Sequence, residues 1–402
     1  MDDATIELSR SQRRTIGLLA GLLLLAAAVT IAWALPWTSA VRFWAVDFTV
    51  YYAAASALVN GQNPYVLADL SAHAPPKATG GVLLYSYPPL LAQMFTPLTA
   101  LSLEDASRLW LAFNLVAIAL SIFLTLRACE WSPRPAVLGL LLFGAFLFFP
   151  SLFTYLLGQA SVFSLLMVSL GLWLFRRERP IPGGLAWGLA WVKPHVVGFL
   201  PYSLLLERRW RALAAFAVPL LVSLALAAPL LPAWIDAGLT SFGGNTRTQG
   251  YDFPYQATPL APLDFLGTAG WVVRVALMLA GAAALYWLAR RDVGWKAFTI
   301  AQLTLGLTLT PYMGRTDVAL NMVPMLLILS DWDKARGPAW LVIAAWLAPL
   351  PGVLLEALAD FGWLLLPLIW GSAMQWLMTG AAAWTVWLAL KSGPATQPAA
   401  QQ

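Results

Sequence analysis

The sequence predicts an all-α polytopic membrane protein, and three observations carry that prediction. Of its 402 residues, 60% are hydrophobic and only 11% are charged. The mean hydropathy is +0.72. Apolar runs long enough to cross a bilayer recur along the whole chain. An ordinary soluble chain is about a quarter charged, so this one cannot solvate a globular surface. That excludes a soluble enzyme and a nucleic-acid binder, and the single cysteine, Cys129, excludes an internal disulfide. The net charge of +5 is therefore read by position, because Lys and Arg gather in cytoplasmic loops.

The first apolar run, Ile16 to Trp37, follows Arg10, Arg13 and Arg14 and spans about 33 Å as a helix. No convincing small-residue cleavage site ends it, so it reads as a retained helix rather than a signal peptide. Phe48 to Asn60 reads as a short amphipathic helix stopped by Gly61. Pro88 to Leu101 is apolar but too short to span, and is expected to lie in the interface. Further spans are expected at about 107–127, 135–151, 160–175, 212–232, 271–289, 296–312, 318–330, 338–355 and 363–389, for about ten full transmembrane helices.

The stretch 180–206 breaks the pattern. Arg176, Arg177 and Arg179 precede it, and Arg208, Arg209 and Arg211 follow. Its middle reads Trp191-Val192-Lys193-Pro194-His195, and proline interrupts a helix by removing a donor and crowding the preceding turn. We expect a broken half-helix hairpin that enters and returns; one kinked span would invert everything downstream. With the hairpin, most of the 24 Lys and Arg fall in cytoplasmic loops, both termini are cytoplasmic, and the outer loops 38–106 and 233–270 frame one domain over residues 1–390. The polar segment 391–402 reads as a disordered cytoplasmic tail.

Several residues can carry chemistry. Asp47 sits among aromatics in Val46-Asp47-Phe48-Thr49-Val50-Tyr51-Tyr52; it is either a general base with a raised pKa or a helix N-cap. Tyr85 and Tyr87, in Tyr85-Ser86-Tyr87-Pro88-Pro89, read as interfacial aromatics. Ser102 stands three residues before Asp105, a capping pattern. Gln159, after Gly158, can bind a sugar hydroxyl or a neighbouring helix. Lys193 and His195 lie at membrane depth, where polar groups are functional candidates, although a lysine there can also snorkel. Arg315 offers a planar fork for phosphate, and Asp317 either a second carboxylate or a local partner for it. No Walker A, dinucleotide, HExxH or Cys/His metal pattern is present, so no metal or other cofactor is expected.

Taken in order, Asp47 with Tyr51-Tyr52, Asn60-Gly61, Pro64-Tyr65, Tyr87-Pro88-Pro89, Pro97-Leu98, Gly158-Gln159, Lys193-Pro194, Arg208-Arg209-Trp210 and Thr310-Pro311-Tyr312 through Asp317 resemble the bacterial polyprenyl-phosphate-mannose-dependent alpha-mannosyltransferases of the GT-C superfamily. That family includes the mycobacterial phosphatidylinositol-mannoside alpha-1,2-mannosyltransferase. The resemblance spans about residues 15–330. It implies a GT-C-type glycosyltransferase of the bacterial inner membrane, with its site facing outside and Asp47 as the catalytic carboxylate. Its partners would be a polyprenyl-phosphate sugar donor, a lipid or glycolipid acceptor and the surrounding membrane lipids. On this reading Lys193 and Arg315 hold the donor phosphate, while Tyr51, Tyr52, Tyr87, Gln159, His195, Tyr312 and Asp317 line the substrates. Gly314-Arg315-Thr316 departs from family members that carry histidine there. A transporter or flippase of a lipid-linked sugar is the alternative, and the absence of repeat symmetry weighs against it.

Overall fold

The computed structural model describes residues 30, 46–74, 85–242, 258–348 and 366–392, and every regular element among them is helical. The expected first span at 16–37, residue 30 apart, falls outside these residues, as do 38–45, 75–84, 243–257, 349–365 and the tail after 392.

Short helices come first. Helix α1 (Val46–Val59) ends in a left-handed Gly61 at φ 70. There the Gln62 N–H reaches back to the Ala57 carbonyl at 2.8 Å, a closure that a side chain at Gly61 would strain. Helices α2 (Leu67–His73) and α3 (Pro89–Phe95) follow, and a 3₁₀ turn over Thr96–Ala100 completes the expected short apolar segment. Phe48 and Phe95 pack at 5.7 Å between ring centres, and Phe95 and Trp110 at 4.7 Å. This wedge fixes α1 against the long helix α4 (Leu103–Ala128). Ser102 caps α4 by accepting from the Asp105 N–H, as its spacing predicts.

Helices α5 (Pro135–Leu147) and α6 (Phe149–Leu157) meet at a 49° bend, and α7 (Ser161–Arg176) follows. Next come α8 (Pro180–Leu189), a 3₁₀ turn at Ala190–Val192, α9 (Pro194–Val197) and α10 (Phe199–Leu206). Helix α11 (Trp210–Leu226) then bends by 78° into the segment that leads to α12 (Leu231–Phe242). The remainder is α13 (Thr268–Arg291), α14 (Trp295–Leu309), α15 (Met322–Leu329), α16 (Arg336–Leu347) and α17 (Leu366–Lys391).

Among the described residues, α4 and α13 are long and apolar enough to cross a membrane, and counting each bent pair as one span gives up to four. Of the ten spans expected from hydropathy, those at 16–37, 338–355 and 363–389 lie wholly or partly outside the described residues. Apolar runs are cut by Pro150, Pro194 and Pro229, and α7 and α14 hold only 16 and 15 residues, about 24 and 23 Å. The run expected at 318–330 splits into a 3₁₀ turn over Asp317–Asn321 and α15.

The hairpin is decided by two glycines. A Cβ on Gly184 would stand 2.1 Å from the Ala212 carbonyl oxygen, and one on Gly188 would stand 2.3 Å from that of Phe216. Both numbers rise together, so α8 and α11 run parallel in backbone contact, the close approach that a small-xxx-small spacing permits. Two parallel helices that begin side by side require the chain between them to return. The break at Lys193-Pro194 is therefore a turning point rather than a kink within one span.

Chain ends sort accordingly. At one pole Arg176 stacks on Trp295 at 4.5 Å, Arg209 on Phe175 at 5.2 Å, and Lys296 pairs with Asp331 at 2.8 Å. At the other, Trp110 donates to the Gly158 carbonyl at 2.9 Å and Gln93 to that of Ser223 at 3.1 Å. The expected basic loops share the first pole.

These contacts predict that Gly188→Ala lowers the Tm of the detergent-solubilised protein by an overpacking cost of about 1–3 kcal/mol. Gly139→Ala, where an added Cβ meets nothing within 4 Å, should leave it within a degree or raise it. Equal Tm values for the two would contradict the parallel contact.

Candidate active site

Asp47 lies in the first turn of α1, a helix of about 21 Å that is too short to cross a bilayer. It is a helix residue rather than an N-cap, and its carboxylate faces a neighbour far away in sequence. Gly158 closes α6 in the left-handed region at φ 69, which turns Gln159 back toward α1. Gln159 Nε2 then donates to Asp47 Oδ2 at 2.6 Å and reaches the Tyr87 hydroxyl at 3.3 Å. The Tyr51 hydroxyl donates to Gln159 Oε1 at 2.8 Å. With its carbonyl oxygen occupied by Tyr51, the amide is held with its nitrogen toward the carboxylate. Burial pushes the Asp47 carboxyl up to about 6, against the lowering effects of the Gln159 hydrogen bond and the Lys193 charge. A carboxyl there is half ionised just below neutrality and takes a proton readily.

Next to this cluster stands a second one, with the opposite logic. Lys193, at the tip of the hairpin, is 2% exposed and its Nζ meets Asp317 Oδ1 at 2.6 Å. It also donates to Ser161 Oγ at 2.9 Å, while Ser161 donates to the same Asp317 oxygen at 2.7 Å. The other Asp317 oxygen accepts from the Gly314 N–H at 2.9 Å and lies 3.4 Å from His195 Nε2. Lys193 thus does not snorkel to the interface, and the partner of Asp317 is Lys193 from the hairpin. Lys193 Nζ also sits 5.8 Å from the centre of the Tyr87 ring, which makes Tyr87 the wall between the two clusters. His195 and Tyr312 meet edge to face at 5.9 Å.

One of the sequence candidates lies elsewhere. Tyr52 turns its hydroxyl to the Leu101 carbonyl at 2.8 Å, anchoring α1 to the end of the interfacial segment instead of joining Tyr51. Arg315, 9% exposed, places its guanidinium 5.4 Å over the Phe153 ring of α6, on the same loop as Asp317. Ser161 and Thr316, at 3.2 Å from each other, were missed by sequence reading; the only signal was that Ser161 follows two residues after Gln159. Arg274 was missed as well. It is 1% exposed on α13, a helix otherwise largely open to its surroundings. Its guanidinium donates to the Leu260 carbonyl at 2.8 Å and to that of Pro311. It therefore clamps the segment at 258–266 onto the loop that carries Asp317. Among the described residues no three His, Cys, Asp or Glu side chains form a metal-binding group.

Two chemical roles follow from the geometry. A poised carboxylate with one amide donor can accept a proton. A neutralised Lys–Asp–Ser group beside it can fix backbone and side chains against an anionic substrate.

A family model described as glycosyltransferase family 87 matches residues 85–311, more than half of the chain. Tyr87, Gln159, Lys193 and His195 fall inside the match. Asp47, Tyr51 and residues 312–317 fall outside it, and contacts bring them to the same place. No curated protein matches the chain.

Removing the Gln159 hydrogen bond takes away the main influence that lowers the Asp47 pKa. Gln159→Leu should therefore move the acid limb of the pH–activity profile to higher pH while reducing the maximal rate. An unmoved limb would separate Gln159 from Asp47. For the second cluster, Lys193→Met leaves a buried carboxylate without its cation, which costs about 3–5 kcal/mol. Asp317→Leu added to Lys193→Met should restore most of the lost Tm, measured by thermal unfolding, without restoring activity.

Proposed function

Because this chain belongs to glycosyltransferase family 87, we propose that its glycosyl transfer uses a polyprenyl-phosphate sugar, with mannose as the first candidate, and a lipid or glycolipid acceptor on the extracytoplasmic face. The observation that carries the reading is Asp47, half-buried, oriented by Gln159 and raised to about 6. A carboxylate so placed suits a general base, whose best pKa lies near the working pH. The charge pattern supports this face. The basic loops share one pole, where Lys and Arg mark the cytoplasm, and Asp47 is at the other.

The reaction is a single in-line displacement. Asp47 takes the proton of an acceptor hydroxyl as its oxygen bonds to the anomeric carbon. On the opposite side the bond from that carbon to the phosphate oxygen breaks, and the electron pair leaves with the polyprenyl phosphate. Attack from the far side inverts the anomeric configuration, so a beta-linked donor gives an alpha-linked product. Phosphate is a good leaving group, and Arg315 stabilises its charge through fixed donors. The charge of Lys193 is balanced by Asp317, so it acts by holding the hairpin tip and the 312–317 loop around the phosphate. Tyr87, His195 and Tyr312 contribute ring faces and polar edges to the sugars, and Tyr51, fully buried, orients Gln159 behind them.

Asp47→Asn retains an oxygen acceptor for Gln159 but cannot accept the proton. With radiolabelled polyprenyl-phosphate mannose and a host lipid extract, the wild type should form a labelled glycolipid and Asp47→Asn should be about 10²–10⁴-fold slower. Comparable rates would remove Asp47 from the mechanism. Wild-type transfer should rise with pH through about 6 and then level off, because the base must be ionised. The stability effect has the opposite sign. A folded-state pKa raised from 3.8 to about 6 favours the fold below pH 4 and loses that contribution between pH 4 and 6. At pH 7.5 Asp47→Asn should therefore melt at or above the wild-type temperature.

A further inference from the structure

At the basic pole, away from Asp47, a cavity of about 310 Å³ opens between the start of α14, the loop from α15 to α16 and the last turns of α17. Lys296, Lys334, Asp331 and Thr385 give it polar corners, and Ile328 and Leu388 give it apolar walls. Lys296 Nζ is held by Asp331 Oδ1 at 2.8 Å and Ser330 Oγ at 3.0 Å, so its charge is balanced in place. Lys334 is exposed at the rim and supplies the net positive charge.

The depth of the cavity is marked by rings. On α13, Arg290 lies 5.2 Å over Tyr286 and Arg291 lies 5.2 Å over Trp287; on α17, Lys391 lies 3.8 Å over Trp387. All three rings are close to half exposed. Amphipathic rings topped by cations sit where hydrocarbon meets headgroups. The cavity therefore opens at headgroup depth, beside the last turns of α17, where Trp384 and Trp387 are exposed.

We propose that this cavity binds the headgroup of an anionic phospholipid of the phosphatidylglycerol type. Lys334 meets the phosphate. Asp331, held by Lys296, and Thr385 accept the hydroxyls of the glycerol head, and the acyl chains run down beside Leu388 and the exposed Trp384 and Trp387 of α17. The carboxylate selects a head that donates hydrogen bonds and carries no ammonium shell of methyl groups, so phosphatidylcholine fits poorly. Carboxylates Asp292 and Asp333 flank the site, but Arg290, Arg291, Arg336 and Lys391 outnumber them.

The full-length protein in phosphatidylcholine nanodiscs, with and without added phosphatidylglycerol, tests this by thermal unfolding and by native mass spectrometry of retained lipid. The wild type should melt several degrees higher with phosphatidylglycerol and retain one such lipid. The Lys334→Gln/Thr385→Val variant, altered only at the rim and wall, should lose about tenfold in retention at unchanged basal Tm. Arg208→Gln/Arg211→Gln, at the same pole but outside the cavity, should behave as wild type. Equal loss in both variants would reduce the effect to diffuse surface charge and overturn the site. Equal stabilisation by inorganic phosphate or free glycerol phosphate would overturn the lipid assignment. Asp47→Asn should leave lipid retention intact, so failure here and failure of the transferase reading are separable.

Discussion

A charged lysine end and a carboxylate, both almost wholly enclosed, can persist inside a membrane protein only together. Lys193 and Asp317 meet at 2.6 Å across 124 residues of chain, and the rest of the site takes its shape from that pairing. It fixes the tip of the hairpin to the loop before α15. Ser161 bonds to both and adds the start of α7. Tyr87 covers the lysine on one side and receives Gln159 on the other, so the pair also sets the distance to Asp47. Each contact alone is modest, but the cost of separating the two charges makes the arrangement rigid.

The two carboxylates of the site illustrate how one residue type divides into two tasks by environment. Asp317 is surrounded by a cation, a hydroxyl, an imidazole and a backbone N–H, and every oxygen lone pair it can use is directed inward. Asp47 has one neutral amide at 2.6 Å and is half-buried on a helix whose Phe48 and Tyr51 belong to an aromatic core. The first is suited to holding structure and the second to exchanging a proton.

Local features were legible in the sequence because local rules create them. Gly61 ends α1, Ser102 caps α4, and the basic flanks with Pro194 announce a hairpin at Lys193. The identity of Asp47 as a candidate also came from sequence, but its partner did not: Gln159 is 112 residues away, and nothing in either segment encodes the approach. The Lys193–Asp317 pairing was invisible for the same reason, and Asp317 read more naturally as a partner for Arg315, two residues before it. Tyr52 was indistinguishable from Tyr51 by type, and only the rotation of α1 tells them apart. Span boundaries were less legible, because hydropathy measures apolar length but not where a proline or a 3₁₀ turn divides it. Arg274 was overlooked because a window average cannot register one guanidinium satisfied by two backbone carbonyls.

The parallel contact of α8 with α11 has a consequence for how the polypeptide could be assembled or rearranged. An inserted segment that leaves on the side where it entered contributes nothing to parity. The hairpin between Arg179 and Arg209 could be lost, gained or lengthened without reversing the direction of a single later helix, whereas loss of α4 or α13 would turn all that follows upside down. The depth and polarity of the turn that bears Lys193 can thus vary independently of the orientation of the scaffold.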